Sequence, residues 1–384
     1  MVQNLNIIPY MTAGWRSFKR DERRRSAVEY GIARHPSLQW MLRLEPMVAS
    51  CICSERMLYA STLAGCIYGL ELSGKIRWMH RCSIPIVSTP VLVEDGWEKG
   101  IIVASTFSTW FDEKDDDKNS VNNNVNSVFA LDADDGSMLW ELSIEGDVFS
   151  SPCYADSLVV FGALDGYVYA VDAYTGRIAW RFKTGGEVWS SPAYDSKRKS
   201  IIIGSDDANV YSLALDDGMP VWKITLDGKV RSSSPCIASE HAFISTYSGH
   251  VYCISMDGSI EWSRRVSEHP ILSSPAYSNS RVFFGSSDTY VYALDARDGS
   301  MIWRVKTGDR VWSTPAVAEG NGTLVACSLD SKIYAIDAYT GMLLWVFPTM
   351  DAIDVSPCIC HGRVFIGSRD GVLYVFGDAP DYIT

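Results

Sequence analysis

The chain has 384 residues, with 34 Lys plus Arg against 46 Asp plus Glu, a formal charge of −12 and 47% apolar residues. The acidic balance argues against general nucleic-acid binding, which needs basic surface for phosphates, and no run reaches the roughly 18 apolar residues of a membrane-spanning helix. The length exceeds one ordinary core, leaving several domains or a repeat array, and 13 Trp, 19 Tyr and 29 Gly against 15 Pro favour a β-rich protein.

Residues 1–37 read as a basic N-terminal arm carrying Arg16, Lys19, Arg20, Arg23, Arg24, Arg25 and Arg34. No apolar stretch of signal-peptide length follows these charges, so export is not expected. The tract reads as a short amphiphilic helix or loose arm, with docking on an acidic partner as the functional alternative. The ten Cys (51, 53, 66, 82, 153, 236, 253, 327, 358 and 360) include no CxxC pair and mostly sit in apolar runs. Buried reduced thiols in a cytoplasmic protein are the expectation.

From residue 38 a repeat takes over. Trp40, Trp78, Trp140, Trp180, Trp222, Trp262, Trp303 and Trp345 are spaced by 38, 62, 40, 42, 40, 41 and 42 residues. The long interval contains residues 111–126, whose five acidic residues and five Asn predict a solvated loop insertion. Each period runs from a Ser-Ser-Pro-type segment through an apolar run and an aromatic alternation to the Trp. The segments are 4 to 7 residues long, bounded by turn formers, and predict four antiparallel strands, A to D. The C-to-D turn is the sharpest: Ala130, Asp132, Asp135, Gly136, Trp140 recurs as Ala170, Asp172, Thr175, Gly176, Trp180, and again before Trp303 and Trp345. The Asp carboxylate suits backbone N–H groups across the turn and Gly suits a left-handed position, so these Asp are read as structural.

Four-stranded units of about 40 residues are the signature of a propeller blade. An open solenoid is the competing architecture, and the ends of the repeat decide against it. A D-like strand, Ser37 to Arg43, precedes the first complete unit at Val48, while the last unit, Val355 to Phe376, supplies only A, B and C. The spare strand completes the last unit and removes two sheet edges. The fold class is therefore all-β, an eight-bladed propeller spanning 38–378 whose ring is closed by an N-terminal strand, with 379–384 as a tail.

At these residues the chain resembles the pyrroloquinoline-quinone (PQQ) repeat family, whose units carry Ala-x-Asp-x-x-Thr/Asp-Gly-x-x-x-Trp and form eight-bladed propellers. Four repeats match fully; the units ending at Trp78 and Trp262 are one residue short at Ser73-Gly74 and Asp257-Gly258, and the unit ending at Trp222 has Ala214 for Asp. The quinoprotein dehydrogenase branch would imply PQQ, calcium, an adjacent Cys-Cys pair and export. The chain has no Cys-Cys, and Cys358, Cys360 and His361 fall one residue short of a c-type haem site. The outer-membrane-assembly lipoprotein branch would need a lipid-bearing Cys near the N-terminus, whereas the first Cys is Cys51. The C-terminal propeller of aminoadipate-semialdehyde dehydrogenase-type adenylating enzymes fits the expected setting best, without their catalytic domains.

No catalytic motif emerges: there is no nucleophile elbow, P-loop or paired His spacing, and His35, His80, His241, His250, His269 and His361 are scattered singly. Cys51-x-Cys53 and Cys358-x-Cys360 fall at equivalent strand-A positions of the first and last blades. Four thiolates suit zinc, but repeat similarity accounts for them, and no metal is assigned. Asp115 to Asp117 and Asp206-Asp207 are read as solvated turn carboxylates. One strand-A position breaks the consensus, reading Val87, Phe149, Trp189, Leu272, Trp312 and Asp354, with Arg231 shifted by one in the longer fifth unit. These residues should ring the channel mouth, with Phe149, Trp189, Arg231, Trp312 and Asp354 as candidate ligand or partner contacts. The expected function is a non-catalytic scaffold or subunit that binds protein partners without a cofactor. The alternative is a protein that binds PQQ or another small molecule, as in a quinoprotein oxidoreductase.

Overall fold

The computed structural model describes residues 14–34, 36–94, 100–108 and 126–378. The expected insertion up to residue 125, the tail at 379–384 and His35 lie outside the described residues. Eight antiparallel four-stranded sheets follow one another in chain order, and no helix occurs among the described residues. In blade 3, strand A (Cys153–Ala155) is innermost, followed by B (Leu158–Gly162), C (Tyr167–Asp172) and D (Ile178–Lys183). The period-2 alternation sets the register, with Val160 opposite Ala170 and Ala170 opposite Trp180. Blade 8 is composite as expected: Ser37–Arg43 pairs antiparallel with Val372–Gly377.

The repeated motif explains how blades join. Asp172 Oδ1 accepts the N–H groups of Tyr174 and Thr175 at 3.2 and 2.8 Å, closing the C-to-D turn. Gly176 adopts φ +69°, and a Cβ there would sit 2.6 Å from the Trp140 ring of the preceding blade. Only Gly allows that stacking. Trp140 then donates its Nε1–H to Ala173 O, 2.9 Å away in the same turn. A second latch joins strand C to the B-to-C turn: the Tyr211 hydroxyl donates to Asp207, which also accepts the Gly185 N–H from the preceding blade. Asp207 is thus an interblade tie, more than the solvated carboxylate expected.

The innermost Ser and Thr form a closed circle. The N–H of Ser50 donates to Thr89 Oγ1, that of Thr89 to Ser151 Oγ, and so on through Ser191, Ser234, Ser274, Thr314 and Ser356, whose N–H returns to Ser50 Oγ at 3.1 Å. Each blade contributes one hydroxyl acceptor and one amide donor. The buried polar residues at the axis are therefore paired, as a core position requires.

Over residues 14–34 the N-terminal tract is neither a helix nor a loose arm. Residues 14–34 wind across the inner strands and touch every blade. Trp15 exchanges backbone hydrogen bonds with Cys53 in blade 1, and Arg16 O accepts from Leu92 in blade 2. The carbonyls of Glu22, Arg23, Arg25 and Ser26 accept from Tyr194, Ile237, Tyr277 and Val317 in blades 4 to 7. Ala27–Val28 adds a fifth, parallel strand to blade 7, and the Tyr30 hydroxyl donates to Ile359 O in blade 8. In blade 3, Arg24 Nη2 donates to Ser151 O and Pro152 O, while its Nε donates to Pro192 O in blade 4. Arg24 is fully buried. Inward-facing carbonyls attract this cation, and positive φ at Lys19, Arg20, Arg24 and Ser26 lets the chain follow the circle. Charge alone made the tract look solvated; the ring of carbonyls is a tertiary feature that no local pattern announces.

The cysteines divide. Eight are unpaired and mostly buried, in keeping with the expected thiols, but Cys53 and Cys360 form a disulfide across the junction of blades 1 and 8. The expectation of reduced thiols throughout fails at this pair because ring closure brings the two strand-A ends together.

Candidate functional site

The central channel holds a cavity of about 230 Å³ lined by Val87, Phe149, Trp189, Leu272, Trp312 and Asp354, by every member of the hydroxyl circle but Ser234, and by Arg369 and Phe18. Six of the consensus-breaking positions therefore meet around one space. Phe18 belongs to the arm, so the arm contributes to the cavity wall while its neighbour Arg24 binds the strand-A carbonyls.

Phe149 and Trp189 pack at 5.1 Å between ring centroids, and Phe107 completes the cluster at 5.9 and 6.2 Å. Arg231 does not line the cavity. The extra residue of the fifth unit, Ser232, takes φ +62° and lines it instead. Arg231 lies over the Trp189 ring at 4.9 Å and is held by Asp206 and Glu187. Asp206 is thus a buried partner of Arg231 rather than a solvated turn residue. On the other side Arg310 covers Trp312 at 4.9 Å, and Trp312 donates its Nε1–H to Ser287 Oγ at 3.2 Å. A guanidinium over an aromatic face is a favourable cation–π contact, so both Trp are positioned on one face before any ligand arrives.

Asp354 is held by two bonds from Arg369, at 3.2 and 2.6 Å. Burial pushes its carboxyl above the usual range, with Arg369 acting in the opposite direction. Its Oδ1 is buried and has no hydrogen-bond partner. Phe107, Arg310, Arg369 and Phe18 were not among the sequence candidates. Arg369 follows the Gly-Ser at the end of strand B, where the other blades carry Leu63, Phe107, Leu164, Asp206, Tyr247, Ser287 and Leu329, and a cation at this place in the repeat was the available signal.

A calcium–quinone pair needs an oxygen-rich metal site. Among the described residues lining the cavity Asp354 is the one carboxylate, and its Oδ2 is taken by Arg369. Among the described residues, the group with three close metal-ligating side chains is Cys53, Cys360 and His361, none of which lines the cavity. These residues do not fit calcium and PQQ.

The family profile described as PQQ_2, outer membrane protein assembly factor BamB, matches residues 114–256 and 206–379. The chain belongs to the PQQ_2 family. It is 26% identical over 190 residues to the outer membrane protein assembly factor BamB of Moranella endobia (strain PCIT), covering 46% of this chain and 48% of the relative. The chain spans about half the length of the curated relatives it matches. Among solved structures, BamB of Moraxella catarrhalis superposes with a TM-score of 0.74 at 17% identity, covering 89% of this chain and 100% of that one. The quinohemoprotein alcohol dehydrogenase of Comamonas testosteroni gives 0.78 at 13% identity, covering 97% and 82%. At such identities the fold alone is shared; the site chemistry is not carried over.

Proposed function

We propose that this PQQ_2 propeller is a non-catalytic scaffold that binds protein partners through its outer rim. The observation carrying this reading is an apolar belt. The residue two before the D-strand Trp is Leu38, Ile76, Met138, Ile178, Ile260, Met301 or Leu343 in seven blades, each 39–48% exposed, with Pro220 in the eighth. An apolar side chain repeated at the same strand position in seven blades gives the rim a recurring apolar contact point that suits protein binding. The curated relatives are named outer membrane protein assembly factors, which supports a partner-binding role. No helix of the described residues is long and apolar enough to cross a membrane.

The cytoplasmic setting, nearest that of the adenylating-enzyme propellers, stays part of the proposal and rests on the eight unpaired cysteines. Cell fractionation tests it. A second reading, a small ligand in the channel, is supported by the three aromatics and the unpartnered Asp354 Oδ1. The cavity, at about 230 Å³, is smaller than the roughly 300–1,000 Å³ of most ligand pockets.

The two readings separate by mutation. Ile178→Lys with Met301→Lys should abolish recovery of the partners that co-purify with the native protein, leaving the melting transition in place. Trp189→Ala with Trp312→Ala should spare that recovery. The reverse pattern, or saturable PQQ and calcium binding with dye reduction, would overturn the scaffold reading.

A further inference from the structure

At the last residue of strand A, blades 2 to 7 carry Val93, Ala155, Asp195, Ala238, Ser278 and Ala318. Blades 1 and 8 carry Cys53 and Cys360. Repeat similarity therefore accounts for Cys51 and Cys358, which match Cys153 and Cys236, but not for the second Cys of each pair. The two exceptional thiols occur in the blades that meet where the ring closes, with Cα atoms 6.5 Å apart and joined by a bond between residues 307 apart in sequence.

The surroundings select this pair and shield it. Burial pushes the Cys51 thiol up to about 12 and holds Cys358 well above its ordinary value, so these neighbours stay protonated. Both bonded cysteines are inaccessible to solvent. Trp15 lies along Cys53 through reciprocal backbone bonds of 2.8 and 2.7 Å, and Tyr30 binds the carbonyl of Ile359, next to Cys360. The N-terminal arm is thus fastened to the two strands that the disulfide joins.

We propose that Cys53 and Cys360 form a reversible oxidation site that locks the ring closure and, with it, the seating of the arm. The co-reactant is a low-molecular-weight disulfide. One protein thiolate attacks a sulfur of that disulfide and displaces a small thiolate, which takes up a proton. The second protein thiolate then displaces the other half. Two protein thiols and one small disulfide become one protein disulfide and two small thiols, and excess dithiol drives the reverse. Because the arm is bonded along Cys53 and both cysteines are buried, the arm must lift before a reagent reaches the bond, so locking and arm seating are coupled.

The test uses the full chain. Native protein, alkylated under non-reducing conditions and digested, should yield the Cys53–Cys360 cross-linked peptide. Treatment with dithiothreitol should lower Tm by roughly 5 °C or more, since cross-linking so long a loop restricts the unfolded chain. It should also speed trypsin cleavage within residues 16–25 by about ten-fold as the arm opens locally. Cys53→Ser and Cys360→Ser should show neither response, and Trp15→Ala should accelerate reduction. If a Ser variant fails to fold, the wild-type comparison with and without dithiothreitol decides alone. Alkylation of both thiols in oxidant-treated protein, or equal Tm and equal arm cleavage in the two redox states, would overturn the proposal. So would uptake of one zinc ion by the reduced protein that His361→Ala abolishes, since the pair would then be a metal site.

Discussion

Six blade junctions and the two flanking blade 8 solve the same problem differently. From blade 1 to blade 7, every D-strand Trp reaches the next blade: Trp78, Trp140, Trp180, Trp222, Trp262 and Trp303 each donate Nε1–H to a carbonyl in the following C-to-D turn, at 2.6–3.1 Å. At the closure this fails. Trp345 and Trp40 have buried Nε1 atoms without partners. Blade 8 has no C-to-D turn to receive Trp345, because its D strand comes from the other end of the repeat. The carbonyl that should receive Trp40, Leu72 O, is instead taken by Arg363 Nη1 at 2.9 Å. The closure substitutes an exchanged strand, a disulfide and the inserted arm. A repeat propagates through local motifs, whereas closing it depends on non-local pieces of chain.

Removing the exchanged strand should have the largest effect on the closure. Deleting residues 1–44 should abolish the cooperative thermal transition, read by circular dichroism, because blade 8 then presents a bare edge on strand C. A retained monomeric transition would mean that the ring closes without it. Deleting only residues 1–34 should lower Tm by roughly 5 °C or more, since it removes buried Trp15, Arg24, Val28 and Ile32; an unchanged Tm would make the arm dispensable. At finer scale, Trp303→Phe should cost roughly 1–2 kcal/mol more than Trp345→Phe in urea titrations, because it leaves Ala338 O without its partner. Equal costs would remove the distinction between junctions.

The smallest effect concerns Lys19. Its fully buried amine has no hydrogen-bond partner, and burial lowers its pKa from 10.5 to about 7. Between those values the unfolded chain holds the proton that the folded chain lacks, so this group makes stability rise as pH climbs from about 7 toward 10.5. Lys19→Met should flatten that part of the stability profile, measured by chemical denaturation at several pH values, and raise stability below pH 7.

The blade count and the closing strand were legible because spacing, turn chemistry and aromatic placement repeat and reinforce one another. Gly176, Asp172 and Trp180 each announce their own local task. The mouth was legible through the opposite signal: Phe149, Trp189, Trp312 and Asp354 depart from the consensus and do meet around one cavity. Arg231 was displaced by a single inserted residue whose left-handed backbone the spacing did not reveal. The arm was hidden for a stronger reason. Its contacts are made by its own carbonyls and by Arg24 against carbonyls of blades 3 and 4, so neither alternation nor helical period marks it. Phe107 and Arg369 sit in B-to-C turns at a position that varies from blade to blade, so no consensus marks them.

Residues 14–34 are an integral part of the propeller, and amide hydrogen exchange of the native protein reads this out residue by residue. Peptides covering residues 15–28 should be protected, and the amides of Tyr194, Ile237, Tyr277 and Val317, which donate to arm carbonyls, should lose protection when residues 1–34 are deleted. Arm peptides that exchange at the rate of an unfolded chain while the blades stay protected would contradict it.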